Sequence, residues 1–310
     1  MTHLATTAGP LAATAATSAA PAAVAHKITT SDAILAPLVV SFGAGVDSTA
    51  MVVGFWTYGV RPDLILFADT GDELEETYLH VWLFQAWLEA HGMPGITVVR
   101  RKPTKRAPYE TIYENAWQNE TLYDLAFGYH SCSAKWKVEP QDKYVDAYFR
   151  AHLDAGGTVT RCIGFDAGDR DSERACKSRG TFAAPKADPR WTYRYPLQEW
   201  GWDRAACIEV IRAAGAPVPI KSACGLCPAR TKPEIVELRF TRPDVFARAV
   251  ALEERARNGK HGLRSVKGLG RRFAWSECPS DPVAAAEWAK PKKRGGRRKK
   301  STQLPLPLAA

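Results

Sequence analysis

The chain has 310 residues, of which 45% are hydrophobic and 24% charged. This ordinary globular composition excludes a wholly disordered, collagenous or coiled-coil protein. No run approaches the ~18 consecutive apolar residues of a membrane helix, so a soluble protein with no membrane partner is expected. The net charge of +9 is uneven: eight of the 42 Lys and Arg lie in Lys290–Lys300, which leaves 34 against 33 acidic residues elsewhere. The basic character therefore belongs to a tail, not to the body.

Residues 1–33 are dominated by Ala, Thr, Ser and Pro. They lack the charged start and continuous apolar core of a secretion signal, so a disordered leader is expected. Leu38–Ser41 reads as a buried strand, Ser48–Tyr58 as a helix ended by Gly59, and Leu64–Ala68 as a second buried strand. Leu74, Tyr78, Val81, Trp82, Phe84 and Leu88 have helical spacing across 74–90. Ile96–Val99 is a third strand and Thr158–Phe165 a later one. Such strands alternating with amphipathic helices predict an α/β fold over 34–200, a doubly wound, mostly parallel sheet with helices on both faces. From Asp203 the pattern is mostly helical with Pro and Cys punctuation, so a C-terminal helical, cysteine-containing lobe is expected over 201–285. Residues 286–310 are expected to be a basic disordered tail.

The first strand runs directly into Ser41-Phe42-Gly43-Ala44-Gly45-Val46-Asp47-Ser48-Thr49 and then a helix. A Gly-rich turn lets backbone approach a phosphate with no Cβ in the way. The helix behind it offers unpaired N–H groups and a positive dipole end. Ser48 and Thr49 add hydroxyl donors, and Asp47 caps the helix or organises Mg2+. No Lys follows the glycines, so this is not a G-x-x-x-x-G-K-[ST] loop, and Asp47-Ser48 replaces the third glycine of a dinucleotide fingerprint.

Seven cysteines occur: Cys132, Cys162, Cys176, Cys207, Cys224, Cys227 and Cys278. An odd number without a secretion signal argues for metal, cluster or redox use in a reducing cytoplasm over a disulfide scaffold. Cys224-x2-Cys227, in a Gly/Pro-bounded turn, has the spacing of a zinc or iron–sulfur site. Two thiolates do not close a tetrahedral site, so two further ligands are needed. No His sits near Cys224, which suits an all-thiolate cluster better than mixed Cys/His zinc.

SFGAGVDST resembles the pyrophosphatase loop (PP-loop) of the adenine nucleotide alpha-hydrolase superfamily. Four further segments resemble the phosphoadenosine phosphosulfate (PAPS) reductase family within it. They are Asp69-Thr70-Gly71-Asp72-Glu73 with Glu76-Thr77, Cys132 to Pro140 as C-x4-K-x2-P, Ile163-Gly164-Phe165-Asp166 with Arg170 and Arg174, and Tyr195-Pro196-Leu197 with Trp200 and the Cys224–Pro228 ending. Together they span about Leu38 to Arg257 in family order.

The resemblance implies that the loop, through Ser41, Gly43, Gly45, Asp47, Ser48 and Thr49, holds the β,γ-phosphates of ATP with Mg2+. Cleavage would then fall between the α- and β-phosphates. It places Asp69 near the ribose or a metal, and Gly164 and Arg174 near the nucleotide. Asp47, Ser48, Lys137 and Arg170 take the catalytic roles. It makes Cys132 a third ligand beside Cys224 and Cys227, in a [4Fe-4S] cluster or alternatively a zinc site. Cys207, on a helix leading to the same turn, is the expected fourth ligand, with Cys278 as runner-up.

The implied activity is ATP cleavage coupled to sulfur transfer or reduction, with a sulfur donor or reductant protein as partner. Related members thiolate tRNA or put sulfur into DNA, and the basic tail suits such a substrate. Two alternatives stay open. One is PAPS or adenylyl sulfate reduction, whose mobile nucleophilic cysteine would be Cys278 after Glu277. The other is a nucleotide-sensing module with structural zinc.

Overall fold

The structure is a computed structural model that describes residues 36–123, 131–182, 188–264 and 266–291. In chain order it holds β1 (Leu38–Phe42), α1 (Val46–Thr57), β2 (Leu64–Asp69), α2 (Glu75–Ala90), β3 (Ile96–Arg100) and α3 (Ile112–Gln118). Next come the short α4 (Ser131–Ser133), a π-helical turn (Ala134–Val138), α5 (Glu139–Tyr148), α6 (Arg150–Asp154), β4 (Val159–Ile163) and α7 (Asp169–Phe182). The chain continues through β5 (Trp191–Arg194), α8 (Pro196–Trp200), α9 (Arg204–Ala213), α10 (Lys232–Thr241), α11 (Pro243–Asn258), a 3-10 turn (Trp275–Glu277) and α12 (Pro282–Ala289). The leader expected over 1–33 and the basic run from Lys292 onward lie outside the described residues.

The five strands form one sheet in the order β3-β2-β1-β4-β5, and all four pairings are parallel. The chain leaves β1 toward one edge, then returns to start β4 on the other side of β1. That reversal lies at the carboxyl ends of β1 and β4, where open α/β sheets bind their ligands.

Period-2 alternation sets the layers. Val40, Phe42, Ile65 and Phe67 enter one core with Met51 and Val53 of α1, Phe84 and Leu88 of α2, and Cys207 and Ile211 of α9. Val39, Leu64, Leu66 and Ala68 point the other way, onto Val145 of α5 and Leu153 of α6. All six residues of β2 are buried, because both faces are covered. The expected boundary at residue 200 precedes α9, a helix that packs into the sheet's own core. The helices from Lys232 onward build a separate apolar cluster with Trp136, Leu226, Trp275 and Cys278.

One fully buried acid anchors the return of the chain over this second cluster. Glu253 on α11 is 0% exposed. Its Oε1 accepts from the amides of Leu269 at 2.7 Å and Trp275 at 2.8 Å, and its Oε2 accepts from Ser276 N at 3.1 Å. Removing the carboxylate strands three backbone donors, at roughly 1–3 kcal/mol each where they stay dry. Glu253→Ala is therefore expected to lower the unfolding free energy by about 3 kcal/mol or more in urea melts. Glu253→Gln, which keeps an acceptor, should cost clearly less.

Candidate functional site

The loop between β1 and α1 turns through Ala44, a non-glycine residue at φ 53°. Alternating backbone of this kind gathers successive N–H groups into an anion-binding nest. Here the amides of Gly43 and Gly45 converge on one oxygen, Ser48 Oγ, at 3.1 and 3.3 Å. Ser48 Oγ in turn donates to Gly45 O at 3.1 Å. A phosphate oxygen presents the same kind of acceptor. Gly164, just after β4, lies flat against this loop: a Cβ there would come within 3.0 Å of Ser48 N and 3.1 Å of the Asp47 carbonyl carbon. The loops after β1 and β4 thus meet at the strand-order reversal.

Other residues of the motif are occupied within the protein. The Ser41 hydroxyl donates to Gln141 Oε1 at 2.9 Å. Thr49 is fully buried, and its hydroxyl meets Nε2 of His80 at 3.0 Å. Thr49 is therefore a packing and positioning residue of the loop rather than an exposed hydroxyl donor. Asp69, 4% exposed, accepts from Gly71 N at 2.7 Å, the Tyr78 hydroxyl at 2.7 Å and Arg100 Nε at 2.6 Å. Its two oxygens hold the turn after β2 and the edge strand β3.

Asp47 stands at the start of α1 with Arg204 Nη1 on its Oδ1 at 2.7 Å. Asp47, Asp166 and Asp171 each bring a carboxylate oxygen within 4.8 Å of the others, the one such group of three ligand-type side chains among the described residues. Burial pushes the Asp47 carboxyl up; Arg204 opposes this, while Asp166 and Asp171 add to it. Of the expected cations here, Arg174 pairs with Asp171 at 2.8 Å and lies over the Phe165 ring at 4.4 Å. Arg170 is exposed in the first turn of α7.

The thiols form a second group. Cys132 sits in α4, and the π turn that follows carries Lys137 to the carboxyl end of β2. There Lys137 Nζ meets Glu73 Oε1 at 2.8 Å. The same oxygen accepts from Thr70 Oγ1 at 3.1 Å and Cys224 Sγ at 3.3 Å. Burial pushes the Cys224 thiol well up, and the Glu73 charge adds to that against Lys137. Burial raises Cys132 too, with Cys227 adding and Lys137 opposing. Burial alone would lower Lys137, but Glu73, Cys224 and Cys227 outweigh it and hold the ammonium charged. One cation is thus shared among Cys132, Cys224, Cys227 and Glu73. Arg230 donates to the Cys224 carbonyl at 3.3 Å, and the buried Nε atoms of Arg230 and Arg101 have no hydrogen-bond partner.

Cys207 is not part of this group. It is 0% exposed in the core between α9 and α1. Burial pushes its thiol up to about 12, and the charges that act on it are Asp47, Asp166, Arg204 and Asp203. Spacing along the chain suggested a ligand, but the helix turns Cys207 and Ile211 onto the sheet. The runner-up, Cys278, is 3% exposed in the second apolar cluster. Burial raises its thiol against Arg239 and Lys232, an environment of inert cysteines rather than mobile nucleophiles.

The two groups are joined by one segment. Ser222 Oγ lies 3.0 Å from where a Cβ on Gly45 would be. Two residues on, Cys224 forms an antiparallel bridge with Glu73. Leu74 N donates to Ala223 O at 3.3 Å and Gly225 N to Asp72 O at 2.8 Å. The chain from Ser222 to Gly225 therefore crosses from the β1–α1 loop to the thiols. Glu73 stands in the Asp69–Glu73 motif with no role assigned by the sequence, and His80 and Arg204 stand in no motif. Glu73 carried the one usable signal, an acid following the turn at a strand's carboxyl end; a lone His and a lone Arg on helices carry none.

No protein-family model matches this chain, and no curated protein matches it. Among solved structures it is similar to the U34-tRNA thiolase NcsA from Methanococcus maripaludis with its [4Fe-4S] cluster. Identity is 12%, the match covers 84% of this chain and 83% of that chain, and the TM-score is 0.37. A likeness this loose carries no argument about individual residues. Among the described residues no helix is long and apolar enough to cross a membrane.

His80 offers a direct check on the loop's support. It is 5% exposed, stacked with Phe42 and Phe84, and burial lowers its pKa from 6.5 to about 4. The folded protein holds it neutral, whereas the unfolded chain takes up a proton below about pH 6.5, so acid favours unfolding. Between about pH 6.5 and 4 this is expected to remove on the order of 3 kcal/mol of stability. His80→Gln should lose that increment, read as a shallower pH dependence of urea midpoints. Parallel curves for the two proteins would show that His80 is not held neutral.

Proposed function

We propose that this chain is an enzyme that binds ATP with Mg2+ at the 41–49 loop, cleaves it at the α-phosphate and couples this to sulfur transfer at the Cys132, Cys224 and Cys227 group. The observation that carries the reading is the Ser222–Gly225 segment, which touches the phosphate loop at Gly45 and completes the thiol group at Glu73. Two chemistries on one strap suit a reaction that activates an acceptor and then delivers sulfur to it.

The donor sets fit the groups they would hold. Asp47, Asp166 and Asp171 are hard oxygen donors of the kind Mg2+ takes beside a nucleotide. Three cysteines are soft donors of the kind an iron–sulfur cluster takes. A bound cluster would supply a soft site for sulfide.

In the first step an acceptor oxygen attacks the α-phosphorus, the α–β anhydride bond breaks and pyrophosphate leaves. In the second, sulfide displaces AMP, so that sulfur replaces oxygen in the acceptor with no net oxidation. The Gly43 and Gly45 amides and the first turn of α1 stabilise charge on the departing pyrophosphate. Asp47 and Ser48 organise the loop around it. Lys137, with Arg170 and Arg174, balances negative charge between the two groups. A nucleic acid, tRNA or DNA, is the proposed acceptor class. The basic run from Lys290 supplies affinity for such an anionic acceptor that falls with salt. The buried state of Cys278 gives the reductase alternative no support.

The test follows release of AMP and pyrophosphate from α-labelled ATP with Mg2+ and sulfide, in the presence of total tRNA or of DNA. Asp47→Asn is expected to cut release by about 10²–10³-fold while circular dichroism is unchanged. Equal release by the variant, or none by the wild type with either nucleic acid, would sink the assignment.

A further inference from the structure

We infer that the loop from Arg100 to Arg106 is the surface that receives the nucleic acid, holding its sugar-phosphate backbone at the carboxyl end of the sheet. This rests on the reading of a nucleic acid as acceptor and gives that acceptor a place on the folded body, in addition to the basic run from Lys290.

The body is near neutral on balance but not everywhere. Between Glu89 and Glu110 the sequence has no acid, and Arg100, Arg101, Lys102, Lys105 and Arg106 fall within seven residues of that stretch. Like charges this dense repel one another unless an opposite charge meets them. Arg100 has such a partner, since its guanidinium pairs with Asp69. Arg101, Lys102, Lys105 and Arg106 make no ion pair among the described residues, and the last three are exposed. Their charge is left for a polyanion from outside the chain.

The loop is held in shape before anything binds. Thr104 N donates to Ala107 O at 3.1 Å, and Ala107 N donates back to Thr104 O at 3.0 Å. This closes a tight turn with Lys105 and Arg106 at its tip. Arg101 Nη1 reaches the carbonyls of Ala107 at 3.4 Å and Tyr109 at 3.5 Å, which ties the far arm of the turn back to the end of β3. Charges on a fixed backbone lose less freedom when a ligand meets them.

Position ties this surface to the thiols. Asp69 and Arg100 are register partners on β2 and β3, so the loop starts level with the turn that carries Glu73. The Arg101 guanidinium lies over the Trp136 ring at 5.3 Å, and the next residue, Lys137, is the one on Glu73. Burial lowers the pKa of Lys135, on the same π turn, and the charge of Arg101 adds to that against Glu139. Positive charge therefore continues from the loop onto the turn that serves the thiol group. Exposed Lys and Arg side chains of this kind grip phosphates and leave sequence unread, a chemistry that RNA and DNA share.

The experiment measures binding of the full chain to labelled total tRNA and, separately, to a labelled DNA duplex over about 50–300 mM KCl. Unlabelled polyglutamate serves as a competitor. Four proteins are compared: the wild type, the triple variant Lys102→Gln, Lys105→Gln and Arg106→Gln, a tail variant with every Lys and Arg of 292–300 changed to Gln, and the two combined. The triple variant is expected to bind at least ~10-fold more weakly near ~100 mM salt and to lose about 2–3 from the slope of log affinity against log salt. The same loss should appear in the tail-variant background, with circular dichroism unchanged. In the release assay with labelled ATP, the KM for the nucleic acid should rise by a similar factor while kcat is kept. Whichever of tRNA and DNA shows these changes is the source of the backbone.

Equal affinity and slope in the triple variant, or a loss that vanishes once the tail is neutralised, would overturn the inference and leave the proposed activity in place. A triple variant that keeps tRNA and DNA but loses polyglutamate would overturn it too, assigning the loop to an acidic protein. A wild type that binds neither nucleic acid at the lowest salt would instead overturn the reading of the acceptor, and this inference with it.

Discussion

The short antiparallel pairing of residues 222–225 with 72–74 is the contact on which the rest of the site depends. It consists of two backbone hydrogen bonds and the Glu73–Cys224 bridge. It joins the turn after β2 to a segment about 150 residues later in the chain. Because Gly225 N bonds Asp72 O and Leu74 N bonds Ala223 O, the side chains of Glu73 and Cys224 have no choice but to face one another. Ser222 is then carried onto Gly45, where a side chain would meet its hydroxyl at 3.0 Å. Strand ends, the β1–α1 loop and the thiols become one surface through a few main-chain bonds.

Charge is arranged around that strap in two opposed sets. On the loop side, three carboxylates lie close together with Arg204 on Asp47, and burial raises the Asp47 carboxyl. Such a group gains from any divalent cation that enters. On the thiol side, a single lysine balances a buried carboxylate and acts on three cysteines. Bringing like charges together in a partly dry site is unfavourable in isolation. The fold tolerates it where the sheet's strand order reverses, with three or more elements converging to supply opposite charges.

The sheet and its first turn were legible because their signals are local. Apolar runs of four to six residues, each followed by a glycine or a helical pattern, place β1, β2 and β3 to within one or two residues. The Gly43–Thr49 turn is visible because glycine, Asp and Ser at a strand-to-helix junction have few other uses. β5 was not visible: Trp191–Arg194 is an edge strand whose residues are only half-buried or exposed, so no apolar run announces it. The π turn was hidden as well, since its residues read as a plain helix start, yet it is what delivers Lys137 to β2.

The cysteines mark the division most clearly. The chain alone determined that Cys224 and Cys227 share a turn, that a Gly-rich turn into a helix follows the first strand, and that the body is near neutral while the charge sits in a tail. It did not determine which other donors meet that turn. Cys207 is near by count, but helical geometry rotates it into the core with Ile211. Glu73 was distant by count, and strand pairing brings it within 3.3 Å of Cys224. Local pattern fixes backbone period and turn chemistry, because those depend on neighbours a few residues away. Which side chains share a site depends on how helices rotate and strands pair across the whole chain, and only the packed tertiary structure decides that.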